Sequence, residues 1–330
     1  MLKRTSIIIV NYNGSKVITQ CLESLKKQTD TDFEVLIVDN ASTDDSLLKI
    51  RQFPWVKLIK LESNLGFTGG NIEGLMHATG KYICLLNPDT EVYPNWLENL
   101  CEAMERDMEI GICASKLVVY DNGMIDSAGD GCTTTGKGYK RGDGLHSNQF
   151  QKEELVFGAC GGAMLIRRSL INEIGFLDND FFLIHEDTDF NFRAQLAGWK
   201  CLFVPGAVVL HKVRSSIGHM SDMAVYYSVR NARYVLFKNM PVKIIVKYFI
   251  WHLVQELGSI LYFVCKHKKL MPYLRANWDF LKEIPALLSK RREVKKIIKI
   301  SEYELENMLT PVNNPYIYME KWRKLILKGK

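Results

Sequence analysis

Three polar clusters in this chain each close a short apolar run. Asn11-Tyr12-Asn13 follows Ile7-Ile8-Ile9-Val10, Asp39-Asn40 follows Val35-Leu36-Ile37-Val38, and Asn87-Pro88-Asp89 follows Tyr82-Ile83-Cys84-Leu85-Leu86. Amides and carboxylates of this kind can hydrogen-bond a small ligand, and a carboxylate can hold Mg²⁺ against phosphate oxygens. A fourth cluster, His185-Glu186-Asp187-Thr188-Asp189, gathers ionisable side chains directly after the apolar Phe181-Phe182-Leu183-Ile184. A carboxylate there can act as a general base, given reach and a suitable pKa. His211, after Ala207-Val208-Val209-Leu210, offers an imidazole that could join Asp89 on a metal. Each cluster also has a plain explanation. Asn, Pro and Asp are ordinary turn residues, Asp187 or Asp189 would suit the first turn of a helix, and His211 could be a surface or core-edge residue. One strand exit of this type is unremarkable; three in succession favour a small-ligand site.

The elements that must position these groups read as alternating strands and helices. Strands are expected over 6–10, 33–38, 56–59 and 82–86, with helices between them. Ser15 is the expected cap of the first helix, and Ser42 or Thr43 that of the second. Pro88 cannot donate to a ladder, so the fourth strand ends near Asn87. Strand–helix alternation gives right-handed crossovers and a mainly parallel sheet, which binds ligands beyond the carboxyl ends of its strands. The loop Asn64-Leu65-Gly66-Phe67-Thr68-Gly69-Gly70-Asn71 enters the next helix. It is neither a P-loop nor GxGxxG, but it suits close backbone approach to a nucleotide.

Further on, strands are expected at 110–114, 116–120, 202–205 and 207–211, and a glycine-kinked strand at 156–168. Gly161-Gly162 within the last points to a ligand or backbone passing closely. Residues 121–151 read as a glycine-rich, aperiodic loop, and loops of that length are functional or mobile. A helix should run from Asp187 to Gly198.

The 330 residues suffice for a sizeable core, and 47% hydrophobic with 24% charged residues is ordinary for a globular protein. The net charge of +6 comes mainly from the segment beyond Lys238. Eight cysteines without CxxC or Cys/His metal spacing read as reduced, buried thiols. Residues 1–10 lack a signal-peptide core and cleavage site, so a cytoplasmic location is expected.

In their order these motifs resemble the family 2 glycosyltransferases of GT-A fold, over roughly 6–216, and within them the rhamnosyltransferases of cell-wall and polysaccharide assembly. The resemblance implies a Rossmann-like α/β nucleotide-binding domain with a C-terminal helical extension. Residues 1–115 would form the nucleotide-sugar half, 116–216 the acceptor half, and 217–330 the extension. Asp39 would bond the uracil or thymine ring of a UDP or dTDP sugar, with Asn11, Tyr12, Asn13, Asn40, Gly66, Gly69, Asn71 and Asn87 completing the donor site. Asp89 would hold Mg²⁺ or Mn²⁺ on the diphosphate, helped by His211. Asn87 stands where the family's Asp-x-Asp motif has its first carboxylate, which weakens the expected metal site. Asp187 would deprotonate the acceptor, Glu186 would position it, and Gly161, Gly162 and Trp199 would admit the acceptor. The implied activity is inverting transfer of a sugar, with dTDP-rhamnose the expected donor, to a lipid-linked or polysaccharide acceptor. A non-catalytic sugar-nucleotide or glycan-binding relative is the alternative. A sugar nucleotidyltransferase would need an N-terminal Lys-containing phosphate loop, and Asn11-Tyr12-Asn13-Gly14 is not one.

Beyond 216 a helical pattern opens at Tyr226-Tyr227-Ser228-Val229-Arg230-Asn231. The apolar stretch 244–265, flanked by lysines, is read either as a buried helix hairpin or dimer element, or as a surface that docks on anionic lipid. The second reading places the protein at the inner face of the cell membrane. Nucleic acid is not an expected partner, since no binding motif accompanies the basic run Lys290-Arg291-Arg292.

Overall fold

A computed structural model describes residues 3–212 and 220–314. The expected boundary between catalytic region and extension, at 216–217, lies outside the described residues.

The first half follows the sequence pattern closely. β1 (Thr5–Asn11), α1 (Ile18–Leu25), β2 (Phe33–Asp39), α2 (Ser46–Ile50), β3 (Val56–Lys60), α3 (Gly66–His77) and β4 (Tyr82–Leu86) alternate. β1 pairs in parallel with both β2 and β4, in a register that sets Asn11 opposite Asp39. Alternation along β1 sends Ile7 and Ile9 into a core with α1, and Ile8 into the opposite core, where α3 packs. Both faces are therefore covered, as a parallel sheet requires.

β5 (Thr90–Val92), α4 (Trp96–Glu105) and β6 (Ile110–Val119) follow. β6 is one strand where two were expected, and it runs across the division drawn at residue 115. Residues 121–151 are not aperiodic: β7 (Ile125–Ala128), β8 (Asp130–Cys132) and β9 (Gly138–Lys140) lie within them. The expected strand 156–168 is split into β10 (Glu154–Val156) and β11 (Ala163–Arg167), with the glycines in the turn between. α5 (Arg168–Ile174), α6 (Glu186–Leu196) and β12 (Lys200–His211) complete this part. β12 is also one strand rather than two; it absorbs Pro205 and Gly206 as an irregularity between Val204 and Val208.

Among the described residues, ten strands form one sheet, ordered β10-β12-β6-β11-β4-β1-β2-β3 with β5 and β7 attached at its side. β11 is antiparallel to both β4 and β6, so it joins the two parallel sets through its two edges. The carboxyl ends of β1, β2, β4, β6 and β12 consequently share one edge.

The extension comprises α7 (Asp222–Asn239), α8 (Val242–Lys247), α9 (Phe249–Ser259), a π-helix (Ile260–Lys266), α10 (Leu270–Ile297) and α11 (Glu302–Met308). α7, α10 and α11 bury Tyr234, Val235, Leu287 and Leu305 against Phe181, Phe192 and Leu196 of the catalytic part. The buried-hairpin reading of 244–265 does not hold for its second half. No side chain of α9 or of the π-helix is buried.

Candidate active site

The strand ends build the site from the sheet edge upward. Asn11 is fully buried, and its Nδ2 donates to Asp39 Oδ1 at 2.7 Å. Asp39 Oδ2 accepts the Ser42 backbone N–H at 3.0 Å. Asn11 therefore orients Asp39 instead of lining an open pocket, while the Tyr12 ring beside it is 49% exposed. Asn13 Oδ1 accepts the Thr43 N–H at 2.8 Å, closing the turn after β2. Asn40 reaches the glycine-rich loop, donating to the Gly66 carbonyl at 2.9 Å. Gly66 has φ +73, and a Cβ there would lie 2.3 Å from the Phe182 carbonyl oxygen. Only glycine fits. Gly69 and Asn71 lie in the first turns of α3, and the Asn71 amide is turned onto the Phe67 carbonyl at 2.8 Å.

Beyond β4, Asp89 and His211 meet. The β5–β12 ladder sets Thr90 opposite His211, and His211 Nε2 lies 3.4 Å from Asp89 Oδ1. On its other side, His211 Nδ1 lies 3.0 Å from Asp126 Oδ2, and both Asp126 oxygens accept from Lys140 Nζ at 2.8–2.9 Å. Burial disfavours an imidazolium, but the contacts with Asp126 and Asp89 outweigh it and lift His211 to about 9. Burial likewise opposes an Asp126 carboxylate, yet His211 and Lys140 hold it well below the usual range. These residues fit a divalent cation. A carboxylate oxygen and an imidazole nitrogen face each other, and a second carboxylate fixes the ring from behind, the usual arrangement around a ligating histidine. The Asn87 N–H bonds the Gly162 carbonyl at 2.9 Å, and its side-chain amide packs over Gly162, 3.2 Å from where a Cβ would sit.

The third group lies at the start of α6. Asp187 Oδ2 accepts the Gly161 N–H at 2.9 Å, and Oδ1 accepts the Thr188 N–H at 2.6 Å. One oxygen each of Asp187 and Asp130 and the Cys160 sulfur lie within 4.8 Å of one another. Burial and the neighbouring Asp187 charge push the Asp130 carboxyl up to about 7. It is closely surrounded, though it keeps an opening to solvent. Glu186 points inward; burial, then the Asp187 charge, hold it well above the ordinary carboxylate range. Burial also lowers His185 from its ordinary value.

The structure thus brings Asp89, His211, Asn87, Gly161, Gly162 and Asp187 together on the edge that also carries Asp39. Trp199 is not among them. It precedes β12 at the opposite edge, donates to Glu173 at 3.1 Å and packs on Gly111, so it cannot line an acceptor path beside Asp187. Asp126, Asp130, Lys140 and Cys160 are site neighbours that sequence reasoning did not name. The one signal for the first three was the length of the segment 121–151, and Cys160 stands in the glycine-kinked stretch 156–168. A recess of about 330 Å³ between α7, α10 and α11, lined by Lys238, Arg291 and Leu305 among others, contains none of these carboxylates.

A family model described as glycosyl transferase family 2 matches residues 6–175. An N-acetylglucosaminyl-diphospho-decaprenol L-rhamnosyltransferase of Mycobacterium tuberculosis (strain CDC 1551 / Oshkosh) is 26% identical over 236 residues, 64% of this chain and 77% of that one. The structure of GalNAc-T7 with UDP, GalNAc and Mn²⁺ superposes with a TM-score of 0.62 at 18% identity, over 87% of this chain but only 57% of that one. The mannosyltransferase PcManGT from Pyrobaculum calidifontis, in complex with GDP-Man and Mn²⁺, gives a TM-score of 0.51 at 16% identity over 98% and 88% of the two chains. At these identities the structural likeness is one of fold.

Proposed function

The chain belongs to glycosyl transferase family 2 and has the GT-A fold, and from that premise we propose that it moves a sugar, with inversion, from a UDP or dTDP sugar to a lipid-linked glycan. One observation carries the reading. The Asp187 carboxylate is held by two backbone N–H groups on the edge that also carries Asp39 and the Asp89–His211 pair. Hydrogen bonds that fix a carboxylate also fix where it can take a proton. An acceptor hydroxyl attacks C1 of the donor sugar, and Asp187 removes its proton. The C1–O bond to the diphosphate breaks, and its electron pair leaves with the nucleoside diphosphate. Attack opposite the leaving group inverts C1. Asp39 recognises the pyrimidine, held in place by Asn11. Asp89 and His211 Nε2, once that nitrogen has released its proton to solvent, would hold Mg²⁺ or Mn²⁺, which supplies positive charge against the departing diphosphate.

Rhamnose as the sugar and a polyprenol-linked acceptor in cell-surface polysaccharide assembly draw support from the mycobacterial relative's name. A membrane-surface location is supported by an apolar ridge on α9 and by Trp278 exposed on α10. Phe249, Ile250, Leu253, Leu257 and Trp278 are all more than half exposed, with Lys243 and Lys282 nearby in sequence. Among the described residues, no helix is long and apolar enough to cross a membrane. Residence at the inner face of the cell membrane is the corresponding proposal, and a second copy of the chain is the competing occupant of the ridge.

The test is nucleoside diphosphate release from a panel of UDP and dTDP sugars, with and without a polyprenyl-diphosphate glycan, comparing wild type with Asp187→Asn. Acceptor-stimulated release that the variant loses supports the reading. Equal turnover by the variant would remove Asp187 as the base, and retained anomeric configuration would exclude inversion.

A further inference from the structure

The segment that delivers Asp187 to the site has a backbone it would not adopt unaided. Phe182, Ile184 and His185 have φ of 54, 67 and 71. Left-handed values are unusual for a non-glycine residue, and for a bulky or β-branched one they are outliers that the surroundings must impose. One face of α7 holds them, together with the Thr68 N–H of α3, which donates to the Phe182 carbonyl at 3.0 Å. Asn231, fully buried, points its Nδ2 at the carbonyls of Phe181, Leu183 and Ile184 at 2.9, 2.8 and 2.7 Å. Arg230 Nε holds the Asn231 Oδ1 at 2.9 Å, which sets the amide the right way round. One turn earlier, Tyr227 stacks on Phe182 with ring centroids 5.3 Å apart. Two turns later, Lys238 reaches Asp178 at 2.6 Å and Asp189 at 3.0 Å, one on each side of the segment. Tyr227, Asn231, Tyr234 and Lys238 recur at helical spacing, so a single stripe of α7 contacts residues 178–189 from end to end.

We infer that Asn231 is a positioning residue for glycosyl transfer: it clamps the strained turn 181–185 so that α6 begins where Asp187 can reach the acceptor. This rests on the proposed role of Asp187. The donor-binding groups on β1 and β2 do not touch Asn231. Its loss therefore acts first on turnover; the Phe182 carbonyl accepts from the Thr68 N–H of the glycine-rich loop, so the part of donor affinity that is preserved is nucleotide binding set by β1 and β2. A misplacement of about 1 Å at a reacting group can cost about a hundredfold in rate.

The experiment uses the full chain with Asn231→Ala, Tyr227→Ala, and Asn231→Ala combined with Ile184→Gly. The readouts are kcat for nucleoside diphosphate release from whichever donor the wild type turns over, UDP and dTDP affinity, and amide hydrogen exchange over 181–188. Asn231→Ala is expected to lower kcat about a hundredfold, leave nucleotide affinity within about twofold, and speed exchange of the segment at least about tenfold. Tyr227→Ala is the milder variant, with about a tenfold loss in kcat. Glycine at 184 adopts the left-handed conformation without strain, so the double variant recovers about tenfold of the lost kcat. Asn231→Ala with kcat within threefold of wild type, or with nucleotide binding lost in parallel, overturns the inference. So does failure of the glycine to restore turnover. If the wild type turns over no donor, the proposed activity fails, and the exchange measurement still decides whether Asn231 clamps the segment.

Discussion

The backbone N–H of Gly161 donates to Asp187 Oδ2 at 2.9 Å, tying the turn before β11 to the first turn of α6. A Cβ on Gly161 would lie 3.3 Å from Asp187 Cβ and 3.4 Å from the Phe67 ring. Gly161→Ala therefore pushes the carboxylate by a few tenths of an ångström without unfolding the turn. Steady-state kinetics should show kcat lower by about tenfold with donor KM unchanged, as expected for a reacting group out of place.

Asp126 touches His211 and stands behind the proposed cation ligands. Asp126→Asn removes the charge that fixes the imidazole, and outer-shell changes of this type weaken metal affinity by about 10–100-fold. Titration of Mn²⁺ followed by electron paramagnetic resonance should show that loss. Equal affinity would place the cation elsewhere.

Asp189 is completely buried between Arg193 at 2.9 Å and Lys238 at 3.0 Å, with the Asn239 amide at 2.8 Å. It pins α6 to α7. Asp189→Asn strands buried positive charge and should cost about 3 kcal/mol in urea unfolding, where the removal of one partner of a buried pair is strongly destabilising. Surface pairs such as Lys243–Glu302, whose lysine side chain is 85% exposed, should show almost nothing when broken.

Glu186 supplies a pH prediction. Its folded pKa lies above the ordinary 4.5, first because it is buried and then because of Asp187. A raised folded value means that its contribution to stability is complete below about pH 4.5 and is lost as pH rises toward the folded value. Glu186→Gln keeps the neutral shape without the titration. Over this window the variant should gain on the wild type by at most about 1.4 kcal/mol per pH unit, measured by urea unfolding across pH.

The ridge on α9 predicts lipid binding. Replacing Phe249, Leu253 and Leu257 by Gln should abolish flotation with vesicles containing phosphatidylglycerol while turnover of a soluble donor persists. If flotation survives and sedimentation instead shows a dimer dissociating, the second-copy reading takes its place.

The sheet and most of the site were legible because buried parallel strands are apolar runs that stop abruptly. Asn11, Asp39 and Asp89 stand at such stops. Ser15 does not cap α1, whose N-cap is Val17, and the capping assignments at Ser42 and Thr43 failed for a reason located in the site. Ser42 gives its N–H to Asp39 while its hydroxyl oxygen accepts from the Asn11 amide and the Asn13 N–H, and the Thr43 N–H donates to Asn13 Oδ1, so α2 begins only at Ser46. Trp199 failed because sequence proximity to α6 says nothing about which end of β12 a residue occupies. Asp126, Asp130 and Lys140 were hidden because strands of three or four residues lack enough length to display a period. The π-helix was hidden too, since its apolar content matches that of an ordinary helix.

The antiparallel β11 has a consequence for synthesis. β1 to β4 are complete once residue 86 has left the ribosome, yet the free edge of β4 is closed only by a strand beginning at Ala163. Until then Tyr82–Leu86, every side chain of which is buried in the finished protein, is an open apolar ladder that another chain can join. Translation arrested between those points leaves that edge open to pairing with another chain. A fragment ending at residue 115 would inherit the same exposed edge.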